Sequence, residues 1–132
     1  MKEAITSYDK ALEIQPDSHA AWHNRGIVLY DLECYEEAIT SYNKALEIKP
    51  DDHNVWNFRG IVLRNLGRYE EAIASYNTAL EIKPDDHYAW NFRGNALDNL
   101  GRNEEAIASY DKALEIKPDY HDVWNFRREG AR

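Results

Sequence analysis

The stretch Trp56-Asn57-Phe58-Arg59-Gly60, followed by Leu66-Gly67-Arg68-Tyr69-Glu70-Glu71-Ala72-Ile73, decides the fold. It returns 34 residues later as Trp90-Asn91-Phe92-Arg93-Gly94 and Leu100-Gly101-Arg102-Asn103-Glu104-Glu105-Ala106-Ile107. The same interval separates Trp22, Trp56, Trp90 and Trp124, and also Pro16, Pro50, Pro84 and Pro118. A fixed period of this length marks a stacked array, not a globule with a unique core. An array offers a long, regular surface for holding other molecules and has no built-in reaction centre.

Each period carries two helical patterns. The first is expected over His19–Leu32, His53–Leu66 and His87–Leu100. Within it Val55, Trp56, Ile61, Val62 and Leu63 follow spacings close to 3.6 residues. Pro84-Asp85-Asp86 and its counterparts mark the start, because proline disfavours continuing the previous helix and aspartate accepts from free first-turn amides. Leu66-Gly67 and Leu100-Gly101 mark the end, where glycine tolerates a left-handed stop. The second pattern is expected over Tyr35–Lys49, Tyr69–Lys83 and Asn103–Lys117. Ala72, Ile73, Tyr76, Ala79, Leu80 and Ile82 form its apolar face. Glu70 and Glu71 in its first turn and Lys83 at its end complement the helix dipole. The linkers are short, so neighbouring helices pair as antiparallel hairpins.

Composition narrows the function. The chain has 132 residues, 43% hydrophobic and 30% charged, which reads as folded. A chain of this length buries roughly two-thirds of its unfolded surface. Its net charge of −8 repels a phosphate backbone, so no nucleic-acid partner is expected, and anionic membrane surfaces are disfavoured too. Cys34 is the single cysteine, which excludes an internal disulfide. No apolar h-region follows Met1 and no long apolar run appears, so the expected location is intracellular and cytoplasmic.

Trp56, Gly60, Leu63, Gly67, Tyr69, Ala72, Tyr76, Ala79 and Pro84 resemble the tetratricopeptide repeat, and the resemblance covers the whole chain. It implies an all-α fold: a right-handed superhelical α-solenoid of stacked helix-turn-helix repeats. The physics of the pattern is legible. Gly60 and Ala72 let two helices approach closely, Ala79 does so for the next hairpin, and Trp56 and Tyr76 fill the wider gaps. Three departures stand out. Glu33 replaces the glycine stop and should strain or reshape that turn. Arg128 replaces the repeat's inner glycine. Arg25, Arg59, Arg93 and Arg127 occupy a position where the family often has leucine. They read as structural, with glutamates of the second helices as candidate acceptors.

The array is out of phase with its unit. Residues 1–132 read as one array: a lone second helix over 1–18, full repeats over 19–52, 53–86 and 87–120, and a lone first helix over 121–132. Head-to-tail association into a homo-oligomer would complete the missing repeat. Ala4, Ile5, Tyr8 and Leu12 at one end and Val123 and Trp124 at the other are its candidate contacts. Such a heterologous contact gives filaments or rings.

The resemblance also implies that the first helices line a concave face where protein or peptide ligands lie. Carried over position by position, the candidate contacts are His23, Asn24 and Ile27 in the first repeat and Asn57, Phe58 and Ile61 in the second. The third supplies Tyr88, Asn91, Phe92 and Asn95, and the last segment Asn125 and Phe126. The asparagine stripe suits a peptide backbone, which both donates and accepts. The phenylalanine stripe suits apolar anchors; its members could equally pack on one another between first helices. The cations that grip a C-terminal carboxylate in some members are absent at His23, Ile27, Ile61 and Asn95.

Catalytic and metal chemistry are not expected. His19, His53, His87 and His121 recur on separate hairpins, and packed helices stand about 8–10 Å apart. Zinc needs ligands at about 2 Å from one point. These histidines read instead as helix-start residues near the aspartate caps. No nucleophile, base and acid fall together, and Glu33 and Glu36 disfavour a Cys34 thiolate. No cofactor is implied.

Overall fold

The computed structural model describes residues 2–119. Seven helices run in order through them: α1 (Lys2–Ile14), α2 (His19–Asp31), α3 (Tyr35–Ile48), α4 (His53–Asn65), α5 (Tyr69–Ile82), α6 (His87–Asn99) and α7 (Asn103–Ile116). No strand occurs among the described residues. From α2 onward each helix ends one residue earlier than periodicity suggests, a difference within the usual fraying of helix ends. The residues at 121–132, including Val123, Trp124, Asn125 and Phe126, lie outside the described part.

The chain folds as an α-solenoid. Three hairpins, α2–α3, α4–α5 and α6–α7, stack in sequence, and α1 packs on α2. The curvature follows from which helices meet across repeats. α2 touches α4 and α4 touches α6, whereas no contact joins α3 to α5 or α5 to α7. The first helices therefore crowd the inner side of the coil, and the second helices fan out on its outer side.

Each first helix is started by a side chain. Ser18 Oγ accepts from the Ala21 amide, and Asp52 Oδ1 from the Asn54 amide. Asp86 Oδ1 accepts from both Tyr88 and Ala89 amides. These bonds satisfy donors that an uncapped helix leaves open. The ends repeat as faithfully. The amides of Cys34, Arg68 and Arg102 reach back 2.8–2.9 Å to the carbonyls of Leu29, Leu63 and Leu97. The residue before each lies in the left-handed region: Gly67 at φ 76°, Gly101 at 77° and Glu33 at 62°. Glu33 thus keeps the glycine's turn and carries the strain instead of reshaping it.

The shared interval of tryptophan and proline has a direct cause. The indole Nε1 of Trp22, Trp56 and Trp90 donates to the carbonyl of Pro16, Pro50 and Pro84 at 2.8–2.9 Å. Each indole ties the turn that ends one repeat to the first helix of the next. The core follows the period as well: Ala72, Tyr76, Ala79, Val55, Val62 and Leu63 are all buried, as are their counterparts Ala38, Tyr42, Ala45, Ala106, Tyr110 and Ala113. Ile82 departs from the expected face, since it and its counterparts Ile48 and Ile116 lie at the exposed helix end.

The arginine row is structural, but its acceptors are not glutamates. Arg59 Nε donates to Asn43 Oδ1 at 2.8 Å and its Nη1 to Ser75 Oγ at 2.6 Å. Arg93 repeats this with Asn77 and Ser109, and Arg25 with Asp9 and Ser41. The glutamates of the second helices sit on the solvent side, while Ser41, Ser75 and Ser109 lie buried at the hairpin seam where the guanidinium enters. Each guanidinium also lies 5.8–5.9 Å from the ring of the tryptophan one turn before it.

Candidate functional site

The inner surface of the coil is built from α2, α4 and α6. Between α4 and α6 it opens into a hollow of about 240 Å³ lined by Asn54, Asn57, Phe58, Ile61, Tyr88 and Phe92. Five of these six are candidate contacts from the sequence. Helical spacing brings Asn54, Asn57, Phe58 and Ile61 onto one side of α4, and Tyr88 and Phe92 onto the matching side of α6. Tyr88 is half exposed, the most exposed aromatic side chain among the described residues.

The phenylalanines are anchored from behind. Phe58 packs against Tyr42 and His23, with ring centroids 6.2 and 5.5 Å apart, and Phe92 against Tyr76 and Tyr88 at 5.8 and 6.4 Å. Among the described residues their partners are thus tyrosines of the preceding second helix and aromatic residues of the first helices. One side of each ring stays turned to the hollow.

The asparagine stripe needs correction. Asn57 and Asn91 are only 6% and 4% exposed. Asn57 Nδ2 already donates to Asp86 Oδ2 at 2.7 Å. Asn57 therefore ties α4 to the cap of the next repeat, while its position still borders the hollow. Asn54 and Asn24 remain exposed, and Ile27, Ile61 and Asn95 are half-buried on the inner side.

Two of the recurring histidines, His19 and His53, serve the same seam. His53 Nδ1 lies 3.1 Å from Asp86 Oδ2, and His19 Nε2 3.0 Å from an Asp52 carboxylate oxygen. Each approaches the aspartate cap of the following repeat. Asp86 consequently serves two helices: Oδ1 starts α6 and Oδ2 receives Asn57 and His53 from α4. In the first repeat His23 stands where Asn57 stands in the second. Burial holds its pKa below 6.5, Asp52 opposes that shift, and His19 adds to it. Among the described residues, no three His, Cys, Asp or Glu side chains converge on a point that could hold a metal ion.

Sequence reasoning missed the three serines and the asparagines Asn43 and Asn77. The signal was present, since each serine recurs 16 residues after an arginine. Tyr30 and Asn65 are inner positions by the resemblance, but their bond was not foreseen: the Tyr30 hydroxyl accepts from Asn65 Nδ2 at 3.1 Å, linking α2 and α4 across the inner surface. Of the residues expected at the exposed end, Leu12 is buried against the array and is unavailable for docking; Ala4, Ile5 and Tyr8 are half-buried.

Residues 17–85 and 54–121 each match the tetratricopeptide repeat, and residues 1–32 match the protein prenyltransferase alpha subunit repeat. No curated protein matches the chain in sequence. Among solved structures, the crystal structure of MamA is similar with a TM-score of 0.91 and 21% identity, over 96% of this chain and 74% of that one. The first TPR of Spaghetti (RPAP3), bound to the HSP90 peptide SRMEEVD, is similar with a TM-score of 0.83 and 24% identity, over 86% and 90%. YrrB, described as a TPR protein with an unusual peptide-binding site, reaches 0.83 and 27% identity, over 98% and 66%.

Proposed function

The chain belongs to the tetratricopeptide-repeat family, and on that footing we propose that it is a non-catalytic scaffold holding a protein segment in the groove lined by α2, α4 and α6. The observation that carries this reading is the hollow between α4 and α6. It is apolar on its floor, polar at Asn54, and formed before any ligand arrives. Preformed concave sites with a few placed polar groups suit ligand capture, and rigidity limits the entropy lost on binding. Structural relatives that hold a peptide, as the RPAP3 domain does in its complex, add support.

The side chains indicate what kind of segment fits. Phe58, Ile61, Phe92 and Tyr88 favour one bulky apolar anchor. Among the described residues the inner row of Tyr30, Arg64 and Asp98 carries one cation and no cluster of them, so a free C-terminal carboxylate is not the feature read. The partner is a protein segment; nothing in the groove suits a nucleic acid. Among the described residues no helix is long and apolar enough to cross a membrane.

A displayed library of short peptides selected on the intact chain tests the reading. Enriched peptides should share an apolar anchor and should bind the Tyr88→Ala and Phe92→Ala variants at least about tenfold more weakly, the size of an ordinary hot-spot loss. Tyr88 is exposed enough that its truncation leaves helical content unchanged by circular dichroism. Selected peptides that bind both variants with undiminished affinity would place the site elsewhere.

A further inference from the structure

Asn57 brings an unserved acceptor to the hollow between α4 and α6, which it lines together with Phe58, Ile61, Tyr88 and Phe92. Its side chain is almost wholly buried, and its Nδ2 donates to Asp86 Oδ2 at 2.7 Å. A carboxylate only accepts, so this bond fixes which arm of the amide carries the nitrogen and leaves Oδ1 as the other. Oδ1 is buried and accepts no hydrogen bond from the described residues.

Buried polar groups almost always find a partner, and an acceptor left bare forfeits the water it gave up on folding. The neighbouring cap does not depend on this amide. His53 Nδ1 also lies 3.1 Å from Asp86 Oδ2, and Asp86 Oδ1 starts α6. Nor does the period demand it, since the same place in the first repeat carries His23.

The other walls narrow what could serve the oxygen. Phe58, Ile61 and Phe92 offer carbon, and Tyr88 stacks on Phe92 at an interplanar angle of 22°. Flat aromatic side chains bury the most area among such rings. A ring-walled hollow with a bare acceptor suits a flat apolar body that carries a donor. The tryptophan indole is that group: its N–H only donates, whereas a tyrosine hydroxyl also brings lone pairs that need donors. The chain uses the same pairing internally, where the indoles of Trp22, Trp56 and Trp90 donate to proline carbonyls. Resting on the reading that the groove holds a protein segment, we propose that the segment's anchor is a tryptophan whose indole N–H donates to Asn57 Oδ1. The oxygen is closed to solvent, so its donor comes from a ring seated deep in the hollow.

Peptides selected from a displayed random library on the intact chain test this. Those whose binding is lost with Phe92→Ala occupy the hollow, and they should carry tryptophan at the anchor. Replacing that tryptophan by 3-benzothienylalanine keeps the ring size and puts sulfur in place of the N–H. Titration calorimetry should show about tenfold weaker binding, the size expected when a hydrogen bond to a buried acceptor is removed. Against Asn57→Ala the two peptides should bind alike, with circular dichroism checking the fold; the comparison on the unmodified chain stands without that variant. Hollow-bound peptides anchored by any other residue, a benzothienyl peptide that binds the unmodified chain as tightly, or an equal loss against a folded Asn57→Ala chain would each overturn the proposal and leave the groove reading standing. Peptides indifferent to both Tyr88→Ala and Phe92→Ala would overturn the groove reading, and this inference with it.

Discussion

Replacing Gly60 by alanine sets two local effects against each other, and the structure decides the sign. Intrinsic helix propensity favours alanine over glycine by about 1 kcal/mol in a helix interior. The new methyl, however, would stand 2.3 Å from Tyr76 Cε1, 2.7 Å from Cδ1 and 2.8 Å from Cζ. Comfortable carbon–carbon contact is about 3.5–4.0 Å, so three ring atoms would have to retreat by roughly 1 Å. Tyr76 is fully enclosed and backed by Phe92, which leaves the ring little room. Overpacking of a tight core costs about 1–3 kcal/mol, and an overlap on this scale belongs at the upper end. The net expectation is a loss of about 2 kcal/mol, seen as a fall of about 1 M in the urea midpoint. Circular dichroism during urea titration reads it directly. In a Tyr76→Leu background the same substitution should become neutral or stabilising, because the ring edge is gone. A Gly60→Ala chain as stable as the unmodified one, or more so, would refute the packing argument, since propensity alone predicts that result.

Two further substitutions separate backbone strain from side-chain electrostatics. Glu33→Gly should raise stability by about 0.5–1 kcal/mol, because glycine adopts the left-handed turn that costs glutamate about 1 kcal/mol or more, less its own extra freedom in the unfolded chain; a lower melting temperature would show that Glu33 makes an interaction that outweighs the strain. His23 binds its proton less readily when folded, so the stability it supports is present above pH 6.5 and is lost as the pH falls below that value. His23→Asn should reproduce the Asn57–Asp86 bond with Asp52, gain about 1 kcal/mol at neutral pH, and weaken the fall in stability below pH 6.5. An unchanged pH profile would count against that account.

The period made the helices, their order and their caps legible, because each signal was repeated in register. Asp86 reads as a helix start because a side-chain oxygen before an apolar run can accept from first-turn amides. The candidate site was legible only in part. Phe58, Ile61, Tyr88 and Phe92 were named because the resemblance carried the family's inner positions over to them, and they do line the hollow. The burial of Asn57 and Asn91 was not legible, because spacing gives the direction of a side chain only within its own repeat. Whether the amide meets solvent or the next cap depends on how far one hairpin tilts against another, and single-helix periodicity does not encode that angle. The arginine acceptors were missed for a related reason. Glutamate is the obvious partner by charge, but the buried seam presents a serine to Nη1, while the exposed Asn43 or Asn77, or Asp9 for Arg25, takes Nε.

The double duty of Asp86 has a consequence for how the coil comes apart. One carboxylate closes α6 and also clasps His53 and Asn57 of the repeat before it. Opening the middle of the coil therefore undoes two turns of structure in a single event. Ser18, by contrast, fastens only its own helix. Melting should run inward from the amino-terminal end like a zip drawn from its loose tab, with amide exchange fastest in α1 and α2 and slowest around the α4–α6 seam.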